Sequence, residues 1–148
     1  MANEIEDHVS IVLIAEDGRV IIQRRDNITT IKYPGRCALP GGRVESGETP
    51  LEAAIRELRE ETGIEVANLE FLRKKREVFP NSTRADLWIY WGRYDRNQPI
   101  QSLEGQMFLA HPDEFRKLKA LPGEKAVATS ALKQANIGLK NVKEEIGN

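Results

Sequence analysis

The sequence predicts one mixed α and β domain, and three observations carry that expectation. Apolar, β-branched runs alternate with turn residues, one helix has both of its ends marked, and 148 residues suffice for one sizeable core. Residues 8–15 (HVSIVLIA) read as the first strand. Glu16-Asp17-Gly18-Arg19 is turn chemistry, and residues 19–25 (RVIIQRR) return as the second arm of a hairpin. The loop from Asp26 to Arg36 contains Tyr33-Pro34-Gly35, a turn signal, and is long enough to border a site. Residues 37–39 form a short strand ahead of the glycine-rich stretch Leu39-Pro40-Gly41-Gly42-Arg43-Val44-Glu45-Ser46-Gly47-Glu48.

The helix that follows is delimited by its own residues. Thr49 suits the N-cap, Pro50 the first helical position, and Glu52 completes a capping box with Thr49. Gly63 suits a left-handed C-terminal cap, with Ile64 folding back on Leu58. Leu51, Ala54, Ile55 and Leu58 make the apolar stripe. Glu57, Glu60 and Glu61 stand three and four residues apart on another side. Like charges at that spacing destabilise an isolated helix, and a divalent cation between them reverses the sign.

Downstream, residues 64–79 read as extended, including the basic run Arg73-Lys74-Lys75-Arg76, expected to be a solvated edge. Pro80-Asn81-Ser82 marks a turn, and residues 85–94 (ADLWIYWGRY) form an aromatic strand paired with the one before. Alternation puts Trp88 and Tyr90 on one face and Leu87, Ile89 and Trp91 on the other. One face is core, and the other covers either core, a nucleobase or a second subunit, which leaves a homodimer open. Residues 99–110 run from loop into strand, His111-Pro112 starts a short helix to about Leu118, and residues 124–135 make a terminal helix. The polar tail, residues 136–148, is expected to fray.

Composition narrows the function. A net charge of −1 argues against binding nucleic acid polymers. No run approaches a membrane span, and the acidic N-terminus lacks a signal-peptide core. The lone cysteine, Cys37, excludes an intrachain disulfide and reads as a buried structural residue. A cytoplasmic protein is expected.

Residues 42–64, GRVESGETPLEAAIRELREETGI, carry the most specific pattern in the chain. Gly42, Glu48, Arg56, Glu57, Leu58, Glu60, Glu61, Gly63 and Ile64 fill every specified position of G-x5-E-x7-R-E-U-x-E-E-x-G-U, where U is a bulky aliphatic. A chance match is on the order of 10⁻⁸ from average residue usage. A capped amphipathic helix with Glu and Arg on its wet face is common, but the complete pattern in its loop context outweighs that reading. The segment resembles the Nudix box, and its surroundings resemble a small MutT-type Nudix domain. That resemblance implies an α/β/α sandwich with a mixed β-sheet, and a hydrolase of phosphoanhydride bonds that uses Mg²⁺, with Mn²⁺ as an alternative.

The resemblance also implies roles. Glu57, Glu60 and Glu61 would bind metal, with the Gly41 carbonyl completing the shell. Glu57 would also help activate water, directly or through a metal, Arg56 would orient the carboxylates, and Glu48 would support the metal shell or the loop. Arg25, at the strand end, would contact substrate phosphate. Glu104, in Leu103-Glu104-Gly105-Gln106, is the candidate for a further acid, as ligand or base. The expected substrate is a small nucleotide, first a nucleoside triphosphate cleaved to monophosphate and pyrophosphate. ADP-ribose or a nucleotide sugar is the alternative, with Pro80 as its weak sign, and a non-catalytic nucleotide sensor is the rival of another class.

Overall fold

The computed structural model describes residues 5–27, 34–78 and 83–135. Seven strands form one mixed sheet: β1 (Ile5–Ile14), β2 (Val20–Arg24), β3 (Cys37–Ala38), β4 (Gly41–Arg43), β5 (Glu70–Val78), β6 (Arg84–Arg93) and β7 (Gln106–Ala110). Two helices cover it, α1 (Pro50–Thr62) and α2 (Glu124–Ala135). The path runs β3-β2-β1-β6-β5, with β4 pairing β1 and β7 pairing β2. β1 and β6 are parallel over their whole lengths, and β5 and β6 are antiparallel.

The continuous apolar run of β1 has a physical reason: both of its faces are covered. Val9, Ile11 and Leu13 pack with Ala54, Leu58, Ile64 and Tyr90 on the α1 side. Val12 and Ile14 pack with Ile89, Phe115, Val127 and Ala131 on the α2 side. The result is the expected α/β/α sandwich with a mixed sheet. The aromatic strand alternates as its sequence requires, and both of its faces are core: Trp88 and Tyr90 belong to the α1 side, Trp91 to the α2 side. Cys37 is fully buried, which pushes its thiol pKa up.

Several elements differ from expectation. β1 begins at Ile5 rather than at residue 8, because its parallel ladder with β6 continues through Glu6 and Asp7. The hairpin of β1 and β2 pairs only at Ile14 and Val20. Beyond the turn β2 diverges toward β7 and β3, and β4 takes the vacated edge of β1 at His8–Ser10. β5 begins only at Glu70, and its basic run lies on the sheet edge, where Arg76 and Lys74 meet Asp86. Charge on an edge strand discourages unwanted pairing.

The helix expected over 112–118 is a single 3-10 turn, Pro112–Glu114. Phe115 drops into the core, the chain continues in hydrogen-bonded turns to Lys119, and backbone hydrogen bonds of Cys37 with Lys119 and Leu121 hold its far end. Among the described residues no helix is long and apolar enough to cross a membrane. The Pro80-Asn81-Ser82 turn, Tyr33 and the tail beyond Ala135 lie outside the described residues.

Candidate active site

Helix α1 starts and ends as its sequence dictates. Thr49 Oγ1 accepts from the Glu52 amide at 3.1 Å while Glu52 Oε1 accepts from the Thr49 amide at 2.9 Å. Gly63 closes the helix at φ 76° and donates its amide to the Arg59 carbonyl at 2.9 Å. Ala53, Ala54 and Leu58 face the sheet, and Glu61 is buried with them at only 4% exposure. A carboxylate in that position needs compensation.

Around it the other acids gather unequally. Glu57 lies beside Glu61, with its side chain 14% exposed, and each carboxyl shifts the other. Burial raises the pKa of Glu61, and the charges of Glu57 and Glu104 raise it further. Burial also raises the pKa of Glu57, against the pull of Arg56. Glu60 departs from the sequence picture: its side chain is 52% exposed and directed to Arg56. With a helix turn of 100° per residue, Glu60 falls about 60° to one side of Glu57 and Glu61 about 40° to the other, toward the core.

Arg56 is the hub of the acidic face. Its Nε and Nη2 hold Glu48 at 2.7 and 2.9 Å, and its Nη1 reaches Glu57 at 3.0 Å and Glu60 at 3.1 Å. Nη2 also donates to the Arg43 carbonyl at 3.0 Å, which ties the glycine-rich loop to the helix. This pairing lowers the Glu48 pKa and raises that of Arg56.

The glycines at the loop are set by close approach. A side-chain carbon on Gly42 would land on the Glu57 carboxylate, and one on Gly41 would land on the Val9 carbonyl. Gly41 directs its N–H at Glu61 Oε2, 3.4 Å away, which partly offsets the rise in the Glu61 pKa.

Glu104 reaches the same end of α1 through its loop. The helix-end carbonyls of Thr62 and Glu61 accept from the amides of Gln101 and Leu103, so the loop satisfies groups the helix leaves unpaired. Gln23, itself buried, donates from Nε2 to the Glu104 carbonyl at 2.6 Å. Gly105 adopts φ 63° against the Arg24 carbonyl. Arg25, Glu104, Gln23, Asp26 and Gly105 together line a small cleft of about 90 Å³.

Sequence reasoning missed a second lining. Ser10, Leu39, Gly41, Leu87 and Glu124 border a cavity of about 400 Å³. Glu124 opens α2 and accepts the Leu39 amide at Oε2, 2.6 Å; burial pushes its pKa up to about 7. The only sequence signal was an acid in the first turn of α2, which every ordinary helix start shares.

Do these residues suit a divalent cation? Among the described residues no three acidic, histidine or cysteine side chains converge as a ready cage. The donor set nevertheless suits a hard cation: the buried carboxyl of Glu61 beside the half-buried one of Glu57, with Glu104 close enough to add to the repulsion. The cost of charging that pair is what a cation would remove.

The comparisons agree with this geometry. The family model described as NUDIX domain matches residues 5–145. The 8-oxo-dGTP diphosphatase of Escherichia coli is 30% identical over 99 residues, 61% of this chain and 74% of that protein. The NAD-capped RNA hydrolase NudC of Pseudomonas aeruginosa is 38% identical over 72 residues, 49% of this chain and 24% of that protein. The first curated relatives are longer, and the chain spans 24% to 47% of their length. The crystal structure of a MutT protein from Methanosarcina mazei superposes with a TM-score of 0.72 at 19% identity, over 92% of this chain and 98% of that one. The box, the sandwich and a match across nearly the whole sequence therefore place this chain in the Nudix family.

Proposed function

We propose that this protein hydrolyses a phosphoanhydride bond of a small nucleotide with a divalent cation, Mg²⁺ first and Mn²⁺ second. A nucleoside triphosphate, cleaved to monophosphate and pyrophosphate, is the favoured substrate. The observation that carries the reading is Glu61, buried beside Glu57 and near Glu104, at the end of a helix that Arg56 ties to the glycine-rich loop.

Glu57 and Glu61 are the residues that would hold the cation, with Glu60 able to swing in from solvent and Gly41 bordering the site. Bound there, a divalent cation supplies charge neutralisation of phosphate oxygens and a lowered pKa for water. The chain supplies the rest. Arg56 and Glu48 fix the loop and helix so that the carboxyls keep their positions. Arg25 contacts phosphate from the end of β2. Glu57 and Glu104 are the two carboxyl groups placed to take the proton of the attacking water at a side-chain oxygen. The 400 Å³ cavity at Gly41 falls within the size range of small-molecule sites and seats the nucleoside. Its polar groups include Ser10 and Glu124, which suits a base that presents N–H donors.

Relatives differ in what their names record, including 8-oxo-dGTP and ADP-ribose. Cleavage of ADP-ribose or a nucleotide sugar is the second reading within the same chemistry, although Pro80, its sign in the sequence, lies outside the described residues. A non-catalytic sensor fits less well, because every carboxylate of the box is present. The reading places the protein in the cytoplasm, in keeping with the buried reduced thiol of Cys37. The test is a panel of nucleotides incubated with Mg²⁺, with phosphate and pyrophosphate measured separately. Pyrophosphate from a triphosphate supports the reading, and an untouched panel refutes it.

A further inference from the structure

A second, larger cavity adjoins the cleft of Arg25 and Glu104. It measures about 630 Å³ and is lined by Arg24, Arg25, Arg36, Lys117 and Lys119, with Asp26 as the one acid among its described lining residues. The cations come from three separate stretches of sequence, in a chain whose net charge is −1. They converge because the fold pins their backbones. Arg24 ends β2, paired to Cys37 and Gln106. Arg36 Nε donates to the Lys119 carbonyl at 2.9 Å, and Cys37 exchanges backbone hydrogen bonds with Lys119 and Leu121. Among the described residues Arg24, Arg36, Lys117 and Lys119 form no ion pair with an acid. Like charges collected in one cavity repel, and an anion bound there would relieve them.

The backbone adds an independent sign. Lys119 has φ 55°, the one non-glycine residue with positive φ among the described residues. A lysine held there costs about 1–3 kcal/mol, and such strain collects at binding sites. The small cleft of Arg25, Asp26 and Glu104 shares Arg25 and Asp26 with this cavity. Glu104 of that cleft in turn acts on the buried Glu61 of α1, so Arg25 and Asp26 connect the cationic cavity to the acidic site.

We propose that this cationic cavity binds the terminal phosphates of the substrate's polyphosphate chain, and so favours nucleoside triphosphates over nucleotides whose second phosphate carries a sugar. The proposal rests on the hydrolase reading and sharpens it to a substrate class. A chain of ionised phosphates gains from each ammonium and guanidinium, whereas a neutral sugar gains hydrogen bonds and no charge compensation.

The test uses Lys117→Ala combined with Lys119→Gly. Glycine relaxes the backbone at residue 119 while removing the ammonium, so the second change does not threaten the fold. The ratio of kcat/KM for a nucleoside triphosphate to that for a nucleoside diphosphate sugar should fall about tenfold, through KM more than kcat. Tripolyphosphate binding to the metal-free protein, followed by calorimetry, should weaken about tenfold in the variant, and should weaken with added salt in the wild type. An unchanged substrate ratio overturns the proposal. If tripolyphosphate binding falls while that ratio holds, the cavity serves a free anion and the proposal is wrong. A loss confined to 5′-triphosphorylated RNA gives the cavity to a polymer and also overturns it. If no nucleotide is hydrolysed, the hydrolase reading fails, and equal tripolyphosphate affinity in both proteins would then exclude the anion site as well.

Discussion

Arg56 holds Glu48 through two parallel hydrogen bonds, Nε to Oε2 at 2.7 Å and Nη2 to Oε1 at 2.9 Å. The pair spans eight residues and fastens the glycine-rich loop to α1. Both side chains are about 15% exposed, so solvent screens them little. Arg56→Ala should therefore cost about 2–3 kcal/mol in chemical denaturation, because it leaves Glu48 and Glu57 without their shared cation. Glu48→Gln should cost less, since an amide oxygen still accepts one of the two bonds. Equal and negligible losses would show that the loop is held by other contacts.

Glu57→Gln and Glu61→Gln should each reduce turnover by about 100-fold or more with the fold intact. Near-wild-type rates in either variant would remove α1 from the reaction. Glu104→Gln should lower kcat more than it changes KM, and should alter the pH–rate profile if Glu104 takes the proton. Without a change in either quantity, Glu104 is a loop residue.

Gly42→Ala separates packing from chemistry. The added methyl would displace the Glu57 carboxylate, while the helix and its caps remain. Activity should fall about tenfold or more with little change in melting temperature, read by turnover and thermal unfolding on the same sample. A fully active variant would mean that Glu57 need not occupy its present position.

Glu124 supplies a pH signature. Its folded pKa is raised to about 7 from the ordinary 4.5. The folded state therefore favours the protonated acid, so this group penalises the fold increasingly as pH rises from about 4.5 to 7, and evenly above that. In saturating Mg²⁺, Glu124→Gln should flatten that decline by about 2–3 kcal/mol, because glutamine keeps an acceptor for the Leu39 amide without ionising. Unfolding free energies at pH 5 and pH 8 for both proteins decide it, and parallel slopes would exclude Glu124 as their source.

Much of this was legible in the sequence because it is local. Thr49, Pro50, Glu52 and Gly63 specify α1 within a few residues of chain, and the structure places each cap as its residue type requires. The alternation of residues 87–91 likewise fixed which side chain meets which helix. What escaped depends on closure of long loops. Glu60 shares the Arg56 guanidinium with Glu48, and that shared hub exists only once the loop carrying Glu48 folds onto α1. The run Arg73–Arg76 stood out because its charges are consecutive, yet it meets Asp86 and Glu77 at an edge. The cationic cavity was invisible because Arg24, Arg36 and Lys119 meet only through β3 pairing. The start signals after His111 are genuine, but the turns that follow to Lys119 do not form a regular helix, and their far end is held by Cys37, which is distant in sequence.

Binding of Mn²⁺ by calorimetry, wild type beside Glu61→Gln, tests the central claim most directly. The account predicts a saturable site in the wild type and at least about tenfold weaker affinity in the variant. Equal affinities, or no saturable binding to the wild type at all, would contradict it.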